Sequence, residues 1–177
     1  LHRHGRRPRQ APLRRHRPPL CLCDPQPQSP AGNGPWPGLA SAADYAIALK
    51  GASIKLSELA VGIGPFVVGP AVERKMGLSA FSELSIDASS WRSCSWAREK
   101  GLYASVHETV AEMDEAILTL ATTLSKSSPE AMKDLKAVLW QGTEHWDELL
   151  ASRAGISGRL VLSDFAVNAI SAFKAKA

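Results

Sequence analysis

The sequence has few cysteines and no long apolar run, and each absence excludes a class of protein. The three cysteines, Cys21, Cys23 and Cys94, do not have the spacing of a disulfide framework, so we expect a reduced, cytoplasmic setting. No apolar run approaches the ~20 residues that span a bilayer, so no membrane-spanning helix is expected. No apolar run follows the basic N-terminal residues, so no signal peptide is expected either.

Lysine is absent from residues 1–37, and Asp24 is the one acidic residue among them. This stretch holds seven arginines and nine of the twelve prolines, a composition that cannot bury a core and predicts a disordered tail. Arginine and proline without lysine are typical of GC-rich DNA translated out of frame. We therefore expect an out-of-frame tail joined to the body near Gly38. Because the chain begins at Leu1 and its first methionine is Met76, we also expect a fragment.

The arginine cluster leaves a nucleic-acid-binding function open. Arginines neutralise phosphates, but this tail has no interleaved aromatic residues and no predicted fold to orient them, so nucleic acid is disfavoured as a partner. The Cys21-x-Cys23 spacing differs from the usual C-x₂₋₄-C of zinc sites, so no metal is expected.

The remaining residues, 38–177, carry 14 of the 21 basic and 16 of the 17 acidic residues and are long enough for one domain. Their apolar pattern predicts strands at 45–49, 53–57 and 102–106, and helices at 66–76, 78–86 and 91–99. Thr109 with Glu112, Ser128 with Pro129, and Ser163 are signals for the starts of helices. We expect these apolar C-terminal helices to fold back on the body or to contact another subunit.

One stretch, LSELAVGIGPFVVGPAVERKMG at 56–77, places a single carboxylate, Glu58, before a glycine-proline turn and an apolar helix. Periodicity alone favours a surface acid at the end of a strand. The stretch, however, resembles the active-site motif of the enoyl-CoA hydratase/isomerase (crotonase) superfamily, in which a strand ends in Ser-Glu or Pro-Glu before Gly-x-x-Pro. The resemblance continues in Asp44-Tyr45-Ala46, in KGLYASV at 100–106, and in Ser128-Pro129 with Lys136.

This resemblance implies an α/β fold, mostly helical in this chain, that forms the C-terminal part of the crotonase β-β-α spiral. The spiral remnant would occupy 38–108, and 109–177 would form a helical trimerisation region. The implied activity is hydration or double-bond isomerisation of acyl-CoA thioesters, with coenzyme A present only as part of the substrate and no separate cofactor. A homotrimer or a dimer of trimers is expected, and the finer resemblance is to methylglutaconyl-CoA hydratases.

The resemblance also assigns roles to individual residues. Glu58 matches the second of the hydratases' two glutamates, which donates a proton at the α carbon or shuttles one during isomerisation. An apolar wall that desolvates Glu58 and raises its pKa is expected from Leu59, Val61, Phe66 and Val67. The expected substrate-binding residues are Ser57, Val61 and Phe66. Phe173 and Lys176 match the closing A-F-x-x-K, which covers the coenzyme A of a neighbouring subunit.

Two positions depart from the family pattern. Gly38 stands where the first hydratase glutamate would be, and Pro35, which has no N–H, stands where a backbone donor to the thioester oxygen should be. The other donor and most of the coenzyme A surface belong to an N-terminal half that residues 1–37 do not resemble. We therefore expect impaired catalysis. The alternatives are a non-catalytic helical oligomerisation fragment and an arginine-rich nucleic-acid binder.

Overall fold

The computed structural model describes residues 20–23 and 37–175. Most of the predicted tail, with all seven of its arginines, and the candidate sites at Pro35 and Lys176 therefore lie outside the described residues. The elements, in chain order, are β1 (Leu20–Cys23), α1 (Pro37–Ser41), β2 (Tyr45–Leu49), β3 (Ser53–Ile54), a 3-10 turn (Leu59–Val61), α2 (Gly69–Ile86), β4 (Arg92–Ser93), α3 (Cys94–Glu99), β5 (Ser105–His107), α4 (Val110–Ser125), α5 (Pro129–Leu139), α6 (Trp146–Val161) and α7 (Asp164–Lys174). The prediction of an α/β fold dominated by helix is confirmed.

A parallel sheet lies at the centre of the described residues, in the order β1-β2-β5. Leu20 pairs with Tyr45 at one side of β2, and Ile47 pairs with Ser105 at the other. The four residues of β1 fall within the stretch expected to be disordered, and for them the structure differs from the prediction. The reason is that β2 offers a strand edge with which the Leu-Cys-Leu-Cys backbone can pair.

The helices α1, α2 and α3 pack in one core with one face of β2, and α4 covers the other face. The four β2 residues from Ala46 to Leu49 are all buried, as expected for a central parallel strand covered on both faces. In α2 the buried residues Val72 and Met76 are four positions apart before Gly77, and Ala80 and Leu84 are four apart after it, which places each pair on one face of its own helical segment.

Gly77 interrupts α2 with a φ of 81° and a ψ of 160°. The sequence predicted separate helices over 66–76 and 78–86, so the break is where it was expected. The first of them begins at Gly69 rather than at Phe66, since Pro70 occupies a first-turn position in which proline's missing N–H is not needed.

The predicted starts of the C-terminal helices are confirmed. Thr109 Oγ1 accepts a hydrogen bond from the Glu112 N–H at 3.2 Å. Ser128 and Ser163 cap α5 and α7 in the same way, each at 3.3 Å. The apolar face of α4 is only partly buried. Met113 is buried and Ile117 packs beside it, whereas Val110 at the first turn is 52% exposed.

Within the described part of the chain, no single helix has the length and apolar content to cross a membrane. The consecutive helices α6 and α7 reach that composition only as a pair, and they are bent by 73° where they meet.

Candidate functional site

Glu58 lies at the start of the 3-10 turn Leu59–Val61 rather than at the end of a strand. The predicted strand over 53–57 is wrong in its length: β3 ends at Ile54, because its antiparallel partner β4 begins only at Arg92, the residue that pairs with Ile54. The Glu58 carbonyl oxygen accepts hydrogen bonds from Val61 N–H at 3.2 Å and from Ile63 N–H at 3.0 Å. The backbone that carries the carboxylate is therefore a closed turn.

Burial raises the pKa of the Glu58 carboxyl above the ordinary glutamate value. Backbone hydrogen bonds from Glu58 and Ser57 stabilise the charged form and lower the pKa, but they are the smaller effects. The side chain is half-buried, so it is partly desolvated and still accessible from outside. A carboxyl in this position can both release and take up a proton closer to neutral pH than an exposed glutamate can.

The predicted apolar wall around Glu58 is open on one side. Val61 and Phe66 are half-buried, and the Phe66 ring folds back on Gly64, where an added Cβ would lie 2.8 Å from Phe66 Cε2. Leu59 and Val67, in contrast, are 49% and 43% exposed. Ser57 is exposed beside the carboxylate. The substrate-binding roles of Ser57, Val61 and Phe66 stay predictions.

Gly38 lies in α1, and the structure shows what occupies the space where a side chain would be. A Cβ added to Gly38 would lie 2.8 Å from Val68 Cγ1 and 3.1 Å from Val68 Cβ. A larger residue fits only if Val68 moves. The position matched to the first hydratase glutamate is therefore filled by an apolar contact.

A second charged cluster, which we call the Asp44 latch, consists of Asp44, Lys136 and Trp140. The Asp44 carboxylate forms an ion pair with Lys136 Nζ through one oxygen and accepts the Trp140 indole N–H with the other. The Asp44 side chain is only 16% exposed. Asp44 and Lys136 belong to separate matched motifs, and the latch joins α5 to the turn before β2.

Two cations of α2 complete the surroundings of the latch. Lys75 Nζ donates to the backbone oxygens of Asp44 at 2.9 Å and Ala43 at 3.2 Å. Burial lowers the pKa of Lys75, the Arg74 charge lowers it further, and Asp44 opposes both. The Arg74 guanidinium carbon lies 4.3 Å from the centre of the Trp140 ring, a cation–π contact. Sequence reasoning missed this cluster; the i, i+4 spacing of Lys136 and Trp140 on one helix face was its only signal.

The structure also describes one further candidate residue and a cavity. Phe173, predicted to cover coenzyme A, is 60% exposed near the end of α7. A shallow cavity of about 560 Å³ opens between β5 and α4, and its lining includes no residue of the Glu58 turn; it is lined by His107, Glu112, Glu115, Ala116, Thr119, Leu120 and Thr123. Among the residues that the structure describes, no three histidine, cysteine or acidic side chains converge as metal ligands would.

Comparison with known proteins identifies similar sequences and structures. The family described as enoyl-CoA hydratase/isomerase matches residues 31–160, a span that begins seven residues before Gly38. An enoyl-CoA hydratase from Mycobacterium avium is similar at 28% identity and a TM-score of 0.72, over 79% of this chain and 55% of its own. An enoyl-CoA hydratase from Shewanella pealeana ATCC 700345 is similar at 26% identity and a TM-score of 0.55, over 79% and 52%.

A third structure, an enoyl-CoA hydratase/isomerase from Pseudoalteromonas atlantica T6c, shares the fold at 18% identity, with a TM-score of 0.71 over 79% of this chain and 56% of its own. No curated protein matches the sequence. The chain thus spans about 55% of the length of the solved structure from Mycobacterium avium.

Proposed function

The chain belongs to the enoyl-CoA hydratase/isomerase family, and on this premise we propose that Glu58 transfers a proton at the carbon beside the thioester of an acyl-CoA substrate. The observation that carries the proposal is the half-buried Glu58 carboxyl on its closed turn, with a pKa raised by burial. Proton transfer at carbon is fastest when the pKa of the acid lies near the working pH. The crotonase fold of the solved relatives supports the same proposal.

Isomerisation of a double bond suits this site better than hydration. Hydration by the family pattern uses two glutamates, and Gly38, packed against Val68, stands at the place of the first. Isomerisation requires one group that removes a proton from one carbon and returns it to another. Glu58 alone can perform both steps, because a carboxyl near its pKa is an acid and a base in turn.

The thioester oxygen would need backbone N–H donors to stabilise the enolate-like transition state. Pro35, at the matched position, supplies none, and loss of one such donor slows an enzyme by about 10²–10³. We therefore expect slow turnover from this chain by itself. Phe173 and Lys176 remain the proposed contacts to coenzyme A.

The experiment compares three chains: wild type, Glu58→Gln, and the control Glu99→Gln, which alters an exposed acid at the end of α3. Each is incubated with a 3-enoyl-CoA in deuterated water, and isomerisation is followed together with deuterium uptake at the γ carbon, which receives the proton, and at the α carbon, which exchanges when the step reverses. Crotonyl-CoA hydration is measured in parallel. We expect uptake in wild type and Glu99→Gln and none in Glu58→Gln. Equal uptake in all three chains, or none in any of them, contradicts the proposal.

Exposed apolar side chains on the last helices favour a second function, assembly of several copies of the chain. Leu135 and Val138 on α5 are 58% and 65% exposed, and Leu162 after α6 is 79% exposed. Apolar surface of this kind marks protein interfaces. We propose a homotrimer or a dimer of trimers formed through the region 109–177.

Light scattering tests the assembly against the variant Leu135→Glu. We expect a trimer or hexamer that dissociates in the variant, and a monomeric wild-type chain would refute this.

A cytoplasmic location is part of the same proposal and rests on the cysteine pattern of the sequence.

A further inference from the structure

The first turn of α7 packs against the turn that carries Glu58. A Cβ added to Gly62, directly after the 3-10 turn, would lie 2.4 Å from Phe165 Cδ1 and 2.9 Å from Phe165 Cε1. Side-chain carbons are essentially never that close to one another. The edge of the aromatic ring therefore occupies space that only a glycine leaves open.

Gly62 is required here for a second reason. Its φ is 79°, in the left-handed region that side chains with a Cβ rarely adopt. Its N–H donates to the Leu59 carbonyl at 3.0 Å, and the N–H of the next residue, Ile63, donates to the Glu58 carbonyl at 3.0 Å. The Phe165 ring thus presses on the residue at which the Glu58 turn closes.

The start of α7 is firmly fixed, although most of the helix is exposed. Ser163 Oγ accepts from the Ala166 N–H at 3.3 Å, and Ala166 is completely buried. Phe165 itself is 67% exposed. An exposed ring held at a capped and anchored helix start is suited to transmit the position of that helix to the Gly62 turn.

We propose that Phe165 is a positioning residue: its ring holds the Gly62 turn and thereby fixes where the Glu58 carboxyl points. The inference rests on the proposed role of Glu58 as the proton-transferring group. It assigns to α7 a function in this site that is separate from covering coenzyme A.

The test is a titration of the Glu58 carboxyl by carbon-detected NMR in the full chain without substrate, with Glu58→Gln used to assign the resonance. The variants are Phe165→Ala, the conservative Phe165→Leu, and Val167→Ala as a control on the same helix. Because a loosened turn exposes the carboxyl, Phe165→Ala should lower its pKa toward that of an exposed glutamate. Phe165→Leu should retain most of the shift, and Val167→Ala should leave it unchanged.

A double mutant separates contact from general damage. Gly62→Ala should also lower the Glu58 pKa, because its Cβ would displace the Phe165 ring. Combined with Phe165→Ala the two shifts should be less than additive, since the clash needs both side chains and only the left-handed strain at residue 62 is independent of Phe165. An unchanged pKa in Phe165→Ala with its helical circular dichroism intact overturns the proposal, as do fully additive shifts. If Phe165→Ala loses helix, Phe165→Leu decides: a pKa no closer to wild type than that of Phe165→Ala overturns the proposal.

The titration requires no turnover, so its result is independent of the enzymatic proposal. A chain that fails to isomerise acyl-CoA but shows a Phe165-dependent Glu58 pKa refutes the proposed activity alone. A chain that isomerises but whose Glu58 pKa and isomerisation kcat are unmoved by Phe165→Ala refutes the positioning role alone.

Discussion

The Asp44 latch should be one of the main attachments of α5 to the rest of the chain, and replacing Asp44 tests this. No residue of α5 is buried, so the helix gains little from apolar burial. Its attachment depends instead on Lys136 and Trp140, whose side chains both donate hydrogen bonds to the Asp44 carboxylate. Asp44→Ala removes the acceptor from both at once, whereas Asp44→Asn keeps an amide oxygen for the indole N–H and removes only the charge.

The size of the effect follows from the exposure of each partner. A hydrogen bond to a charged group contributes about 1.5–3 kcal/mol when it is buried. The Lys136 side chain is 34% exposed and Asp44 16%, so solvent screens the ion pair and about 1 kcal/mol remains for it. The indole N–H contributes about 1.5 kcal/mol more, since Asp44→Ala leaves it without this acceptor. We expect a loss of roughly 2–3 kcal/mol for Asp44→Ala and about 1 kcal/mol for Asp44→Asn.

Urea unfolding followed by circular dichroism measures these free energies directly. In thermal unfolding, 1 kcal/mol corresponds to roughly 2–4 °C for a chain of this size, so Asp44→Ala should melt about 4–12 °C lower. Lys136→Met and Trp140→Phe should each lower the free energy of unfolding by less than Asp44→Ala does. Combined with Asp44→Ala, each should lower it hardly any further. A loss under about 0.5 kcal/mol for Asp44→Ala, within the range of ordinary surface substitutions, would refute the reasoning. Full additivity with Lys136→Met would refute it too.

Three further outcomes are expected from urea unfolding of single variants. Because burial raises the pKa of Glu58, the folded chain holds a proton that the unfolded chain has already released. Stability should therefore fall as the pH rises from the ordinary glutamate pKa through the raised one, and Glu58→Gln should abolish this slope; an identical slope in the variant would contradict the shift. Gly62→Ala should lose about 1–3 kcal/mol from left-handed strain and the clash with Phe165, whereas Gly155→Ala in α6, which has open space around it, should gain about 0.5–1 kcal/mol. Ser163→Ala should lose about 1 kcal/mol through the cap of α7, and no loss would show that the cap is frayed in solution.

The elements that the sequence predicted well are those that depend on near neighbours. Thr109, Ser128 and Ser163 start helices because each hydroxyl accepts from an N–H three residues ahead, a contact contained in the local pattern. The buried strand over 45–49 was also visible as an apolar run. The extent of the strand before Glu58 was not, because β3 ends opposite the first residue of its antiparallel partner, and that partner comes from a distant part of the chain.

The candidate site also has features that the sequence predicts and features that depend on distant parts of the chain. Glu58 could be chosen from the motif around it, and that motif lies within the span matched by the family. The Val68 side chain that fills the space at Gly38 and the Phe165 ring on Gly62 could not be predicted, because each is a contact between segments far apart in the chain. Asp44 and Lys136 were both noticed as motif residues, but nothing in either motif indicated that they would pair across 92 residues.

By itself, the sequence determined the family, the helix starts and the residue to test, since motifs, caps and apolar periodicity are local properties of the chain. The tertiary structure decided which carboxylate is desolvated, which is paired, and which glycine has no room for a side chain. The physical reason is that charge burial and steric exclusion depend on what the folded chain brings near a residue. Glu58 and Asp44 are both acids beside helices. Asp44 forms an ion pair with Lys136, whereas burial raises the pKa of Glu58 and the Phe165 ring packs against the turn that carries it.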